Sequence, residues 1–94
     1  MTDSHLAALA CELTKRPKAA PHFGDLIGSL RAVRRCDGEL VVEYAPAEAA
    51  RVAELVAAER LCCARIGWEL DGATLRIRAS PEQLDLLERI VAAG

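Results

Sequence analysis

Two Asp-Gly pairs lie between strand-like runs in which apolar and polar residues alternate. Asp37-Gly38 lies inside the run 31–45, and Asp71-Gly72 lies inside the run 66–79. An Asp-Gly pair in this setting is typical of a tight β-hairpin, because glycine adopts a positive φ without steric cost. The hydrophobic pattern therefore predicts two β-hairpins.

A helical segment follows each predicted hairpin, and each has a start signal. Pro46 suits the first turn of a helix, where its missing N–H costs nothing. Ser80, with Gln83 three residues later, forms a capping box at the start of the last helix. We expect the first helix to run from Pro46 to about Ala64.

The two halves share this order of elements, which divides the chain into ββα units at 31–64 and 66–93. Either a duplication or convergent use of the same turn and cap residues accounts for the similarity. The predicted fold class is α+β, with a four-stranded antiparallel sheet, the helices on one face, and Leu75 and Ile77 pointing into the core.

The N-terminal part of the chain has a weaker pattern. We expect residues 1–21 to form a lead-in segment with a short helix over 5–13, ended by Pro17 and Pro21. Residues 22–30 have apolar positions at helical spacing, but two glycines weaken a helix there. The single α+β domain is expected to span residues 22–94.

Composition and charge narrow the classes of protein. The chain has 94 residues, 52% hydrophobic and 28% charged, which indicates one folded domain. A formal net charge of −2 gives no electrostatic basis for nucleic-acid binding. The apolar runs are far shorter than the about 18 residues of a membrane span, and the N-terminus lacks a signal-peptide pattern. We expect a cytoplasmic protein that binds neither nucleic acid nor a membrane.

The first predicted helix carries the candidate chemistry. Glu59 lies near the middle of its apolar stripe, Cys63 follows one turn later, and Cys62 lies at the edge of the same face. Consecutive side chains on a helix diverge by about 100°, so both cysteines reach one ion only if the helix ends there. The next strand begins close by, at Ile66, which favours such an end.

Glu59 has three competing interpretations, because a carboxylate on a core face is costly unless it is paired or coordinating. It forms an ion pair with a base such as Arg65 or Arg35, it tunes or ligates a thiolate site, or it is simply exposed. Core packing remains the alternative for Cys63, since free cysteine behaves as a small hydrophobe.

A thiolate site on this helix needs a further ligand. Cys11 is the natural candidate, and His22 or His5 would substitute for it. Cys36 precedes a hairpin turn and is expected to be exposed and apart from the others. Thiolates select soft ions such as Cu(I), Zn(II), Cd(II) or Hg(II). A structural zinc site usually has four ligands, so two or three thiols favour a low-coordinate soft ion.

The stretch from Glu59 to Leu70 resembles a family of small bacterial proteins and appended domains that carry an E-x-x-C-C-P-F motif. Cys11-Glu12-Leu13-Thr14 matches the Cys-x-Leu-Thr motif that often accompanies it. Ala64-Arg65 stands where that family has Pro-Phe. The resemblance, which covers residues 11–94, implies a role in heavy-metal resistance or regulation, particularly towards mercury, and selects Cys11, Glu59, Cys62 and Cys63.

The leading hypothesis is thus a thiolate-based binding protein for a soft metal ion, with Hg(II) as the expected ion. Cys11, Cys62 and Cys63 would be the ligands and Glu59 a supporting group. No catalytic residue is assigned. The alternatives are a thiol-dependent enzyme, acting on an organomercurial or in redox chemistry, and a structural module, such as a homodimer, with core cysteines.

Overall fold

The computed structural model describes residues 17–63 and 65–93 of the chain. Its elements, in chain order, are a 3-10 helix Phe23–Ser29, strand β1 Leu30–Cys36, strand β2 Glu39–Tyr44, a 3-10 turn Pro46–Glu48, helix α1 Ala49–Cys62, strand β3 Gly67–Asp71, strand β4 Thr74–Arg78 and helix α2 Pro81–Ala93. The predicted α+β class is confirmed. The expected N-terminal helix over 5–13 lies outside the described residues.

The four strands form one antiparallel sheet in the order β1-β2-β4-β3. Each hairpin places its second strand in the centre of the sheet and its first strand at an edge. The turns are tight: Cys36 pairs with Glu39, and Asp71 pairs with Thr74. Gly38 has φ 70° and Gly72 has φ 61°, which confirms the role that the sequence predicts for the two Asp-Gly pairs.

Helix α1 is shorter than the predicted 46–64. Pro46 opens a 3-10 turn, the α-helix begins at Ala49, and it ends at Cys62. Helix α2 begins as predicted, because the backbone N–H of Ser80 donates to the Gln83 side chain and the backbone N–H of Gln83 donates to the Ser80 hydroxyl. The ambiguous stretch before β1 is a 3-10 helix whose Phe23 is buried.

One face of the sheet packs against the helices and forms the core. Its buried residues include Leu40, Val42 and Tyr44 of β2 and, as predicted, Leu75 and Ile77 of β4. The central strands supply fully buried aliphatic side chains. A mainly aliphatic core is expected, because the whole sequence contains only three aromatic residues.

The opposite face of the sheet is charged. Glu39 lies 3.1 Å from Arg76 and 3.4 Å from Arg78. Val41 is only 3% exposed on this face, and its register partners are Arg34 and Arg76. The aliphatic stems of such long side chains cover apolar surface while their charged ends stay in water.

In the part of the chain that the structure describes, neither α-helix combines the length and apolarity that crossing a bilayer requires. The longer of the two, α1, has 14 residues.

Candidate metal centre

The last turn of α1 brings together the three candidate side chains that its sequence spacing predicts. Glu59 precedes Cys62 by three residues and Cys63 by four, and residues at these separations are neighbours on a helix surface. Cys62 is 3% exposed and Cys63 is 1% exposed, while Glu59 as a whole residue has intermediate exposure. The pair of cysteines therefore lies in the core, and Glu59 forms a buried group with them.

The end of the helix lets the two cysteines converge. Cys62 is the last residue of α1, and Cys63 leaves the helical conformation at φ −117° and ψ 61°. Its Sγ lies 3.7 Å from the Sγ of Cys62. Two consecutive residues inside a regular helix would point about 100° apart, so the non-helical backbone of Cys63 is what makes a shared site geometrically feasible.

Glu59 completes a compact group of donor atoms. Its Oε2 lies 3.5 Å from the Sγ of Cys63, and one ligand atom from each of Glu59, Cys62 and Cys63 falls within 4.8 Å of the others. Among residues 17–63 and 65–93, this is the group of three His, Cys, Asp or Glu residues with a geometry that could hold a metal ion.

The redox state of the sulfurs differs within the group. Cys63 is disulfide-bonded in this structure, whereas Cys36 and Cys62 carry thiols. Metal ligation by cysteine requires the thiolate. The form of the protein in which both sulfurs can ligate an ion is therefore the reduced form.

The backbone of Cys63 is held at both ends. Its N–H donates to the carbonyl oxygen of Glu59 at 2.6 Å. Its carbonyl oxygen accepts the indole N–H of Trp68 at 3.0 Å and the backbone N–H of Ile66 at 3.2 Å. Sequence reasoning missed Trp68, although one signal was present: a lone tryptophan five residues beyond the cysteine pair, whose buried N–H needs an acceptor.

Arg35, one of the two bases considered as an ion-pair partner for Glu59, is bound elsewhere. The guanidinium of Arg35 donates to Asp85 at 2.8 Å and to the carbonyl oxygen of Pro81 at 3.1 Å, so it fastens β1 to the start of α2 instead. Hydrogen bonding to Asp85 raises the pKa of Arg35 above its usual value. The other named base, Arg65, is exposed. The contact with Cys63 favours the interpretation of Glu59 as a group that tunes or ligates a thiolate site.

The remaining candidates do not join this group within the described residues. His22 is exposed, immediately before the first 3-10 helix. Cys36 is exposed at the end of β1, as predicted. Cys11 and His5 lie outside the described residues, so their predicted contribution stays a prediction.

The spacing of the two sulfurs constrains the geometry of an ion between them. With a metal–sulfur bond of about 2.3 Å, two sulfurs are about 3.8 Å apart around a tetrahedral ion, about 4.0 Å around a trigonal one and about 4.6 Å around a linear one. The observed 3.7 Å fits the first two arrangements.

Comparisons with known proteins do not identify the chain, since no family model, curated protein or solved structure matches it.

Proposed function

We propose that this protein binds a soft metal ion through the thiolates of Cys62 and Cys63, in metal resistance or sensing in the cytoplasm. The observation that carries the proposal is the convergence of Glu59, Cys62 and Cys63, whose ligand atoms lie within 4.8 Å of one another at the end of α1. Core packing alone explains neither a carboxylate beside a buried sulfur nor two consecutive buried cysteines.

The donor set supports a thiophilic ion. Two sulfurs and one carboxylate oxygen suit ions that prefer sulfur, among them Hg(II), Cu(I), Cd(II) and Zn(II). Hg(II) is the ion we propose first, because softness favours it and because of the resemblance of the stretch around Glu59 to a family associated with mercury resistance. The ligand spacing leaves room for a further ligand, so the coordination is proposed as trigonal or tetrahedral.

We propose Cys11 as the additional thiolate. Cys36, which is exposed, and Cys62, which is buried, both carry thiols. Cys63 is disulfide-bonded. Cys11 is proposed because Cys11-Glu12-Leu13-Thr14 resembles the Cys-x-Leu-Thr motif that accompanies the paired cysteines in the same family. Reduction would then release the thiols that the ion requires.

Titration of the reduced protein tests the proposal. Hg(II), Cd(II), Zn(II) and Cu(I) are added separately in the presence of a competing thiol, and thiolate-to-metal charge-transfer absorbance is followed. We expect one tightly bound equivalent of the preferred ion. Binding should strengthen as the pH rises, because each thiol that ligates the ion must lose its proton.

Four variants locate the site. Cys62→Ser and Cys63→Ser should lose the tight equivalent, and Cys11→Ser should weaken it. Cys36→Ser is the matched control, since its thiol is exposed at a hairpin and its loss should leave the affinity unchanged. Wild-type affinity no greater than that of a simple monothiol, for all four ions, would overturn the proposal.

A further inference from the structure

Trp68 connects the sheet to the end of α1 through hydrogen bonds. It lies in β3, is 7% exposed, and donates its indole N–H to the carbonyl oxygen of Cys63 at 3.0 Å. Its own carbonyl oxygen accepts the guanidinium N–H of Arg60, in the last turn of α1, at 2.8 Å. The end of α1 and the start of β3 are therefore joined by two hydrogen bonds, one from each side.

The indole ring is itself fixed in place. It stacks on Phe23 with ring centroids 6.5 Å apart and an interplanar angle of 30°, and Phe23 is 6% exposed. A donor on a buried ring that is already stacked loses little freedom when it forms a hydrogen bond. Trp68 can therefore hold the Cys63 carbonyl in a defined direction.

The backbone conformation of Cys63 decides where its sulfur points. In helical conformation its side chain would diverge from that of Cys62 by about 100°. With its N–H bonded to Glu59 and its carbonyl to Trp68, Cys63 instead has φ −117° and ψ 61°. The change in φ turns the Cα–Cβ bond, and the two Sγ atoms lie 3.7 Å apart in this conformation.

We propose that Trp68 is the positioning residue of the metal site: its indole N–H fixes the Cys63 backbone outside the helix and so makes the two sulfurs converge on one ion. This inference rests on the proposed function for its biological meaning. The convergence itself is testable without a metal, through a reagent that bridges two thiols.

The test compares three forms of the reduced protein. Trp68→Phe keeps an aromatic ring and loses the N–H. Replacement of Trp68 by β-(3-benzothienyl)alanine keeps the two-ring shape and exchanges the N–H for sulfur. This form should fold even if Trp68→Phe does not, because it fills the same space in the core. Tyr44→Phe is the matched control, because it removes a polar hydrogen from another buried aromatic side chain and leaves Trp68 and the stacked Phe23 ring intact.

The first measurement is the affinity for phenylarsine oxide. This arsenical condenses with two converging thiols, so that two As–S bonds form, the As=O bond is lost and one water leaves, without oxidation or reduction. We expect about tenfold weaker binding in the two variants that lack the N–H, the effect of one lost hydrogen bond. The loss is partial because Ile66 still donates to the same carbonyl. Tyr44→Phe should bind as the wild type does.

The second measurement is the affinity for the preferred metal ion, again with a thiol competitor. We expect the same loss of about tenfold in both forms that lack the N–H, and no loss in Tyr44→Phe. A loss confined to Trp68→Phe would reflect its smaller ring and would argue against a role for the N–H.

The outcomes separate the two proposals. Equal arsenical affinity in the wild type and in both N–H-deficient forms overturns the role of Trp68, whatever the metal result. A Trp68-dependent arsenical affinity, with no metal bound more tightly than by a monothiol, overturns the proposed function and leaves the positioning role standing.

Discussion

Glu59 and Cys63 meet through two pairs of atoms. The backbone N–H of Cys63 donates to the carbonyl oxygen of Glu59 at 2.6 Å, and the Sγ of Cys63 lies 3.5 Å from the Oε2 of Glu59. The last backbone hydrogen bond of α1 and the contact between a carboxylate and a sulfur thus join the same two residues.

Glu59→Gln should weaken metal binding about 10- to 100-fold, the usual cost of losing a group that ligates the ion or orients its ligands. The amide preserves the size of the side chain, so the fold should be retained. Titration with a competing thiol measures the effect. Glu54→Gln, on an exposed position of the same helix, is the control and should bind as the wild type does. Equal affinities for the Glu59 and Glu54 variants would show that the carboxylate has no part in binding.

Cys36 should be alkylated at least tenfold faster than Cys62 in the reduced protein at neutral pH. Its thiol is exposed, whereas Cys62 is buried, and access limits the reaction of a thiolate with a reagent. Mass spectrometry after timed alkylation resolves the two sites. The fast phase should vanish in Cys36→Ser. A Cys62 that reacts as fast as Cys36 would contradict the burial of the pair.

Tyr44 should make the protein sensitive to high pH. Burial raises its pKa from 10.0 to about 12, and its hydroxyl has no hydrogen-bond partner among the described residues. Because the folded state favours the neutral phenol, its contribution to the free energy of unfolding is complete below pH 10 and is lost as the pH rises towards 12. The loss should be about 1 kcal/mol at pH 11.

Chemical denaturation of the wild type and Tyr44→Phe from pH 8 to 12 measures this contribution. The phenylalanine variant should be at least as stable at pH 8, since it buries no unpaired hydroxyl, and should lose less stability above pH 10. The phenolate absorbance of Tyr44, the one tyrosine in the sequence, gives its pKa directly. A midpoint near 10 would refute the burial argument.

Gly38→Ala and Gly72→Ala should each lower the free energy of unfolding by about 1–2 kcal/mol. Both glycines have positive φ values, 70° and 61°, where a Cβ is disfavoured. Open space surrounds each position, so the expected cost is conformational. Gly28→Ala, in the 3-10 helix and also in open space, is the control and should be neutral or slightly stabilising. Urea denaturation of the three variants checks the difference.

Local signals were enough to predict the hairpins and the start of α2, whereas Pro46 begins a 3-10 turn and not the α-helix. The turn at Gly38 depends on the φ preference of one residue, and the start of α2 depends on two hydrogen bonds between Ser80 and Gln83. Both involve residues no more than three positions apart. The end of α1 was placed two residues too late, because no glycine or proline marks the helix terminus, and the carbonyl of Cys63 is bonded to Trp68 on a later strand.

The sequence by itself determined the order of the elements, the apolar face of each strand and the placement of Glu59, Cys62 and Cys63 on one turn, since all of these follow from backbone periodicity. Only the tertiary structure decided that the two sulfurs converge and that Arg35 is bound to Asp85 rather than to Glu59. These outcomes depend on contacts between β3 and α1 and between β1 and α2. The bond between Arg35 and Asp85 joins residues 50 positions apart. The bond between Trp68 and Cys63 joins a strand to the end of a helix, so the periodicity of neither element specifies it.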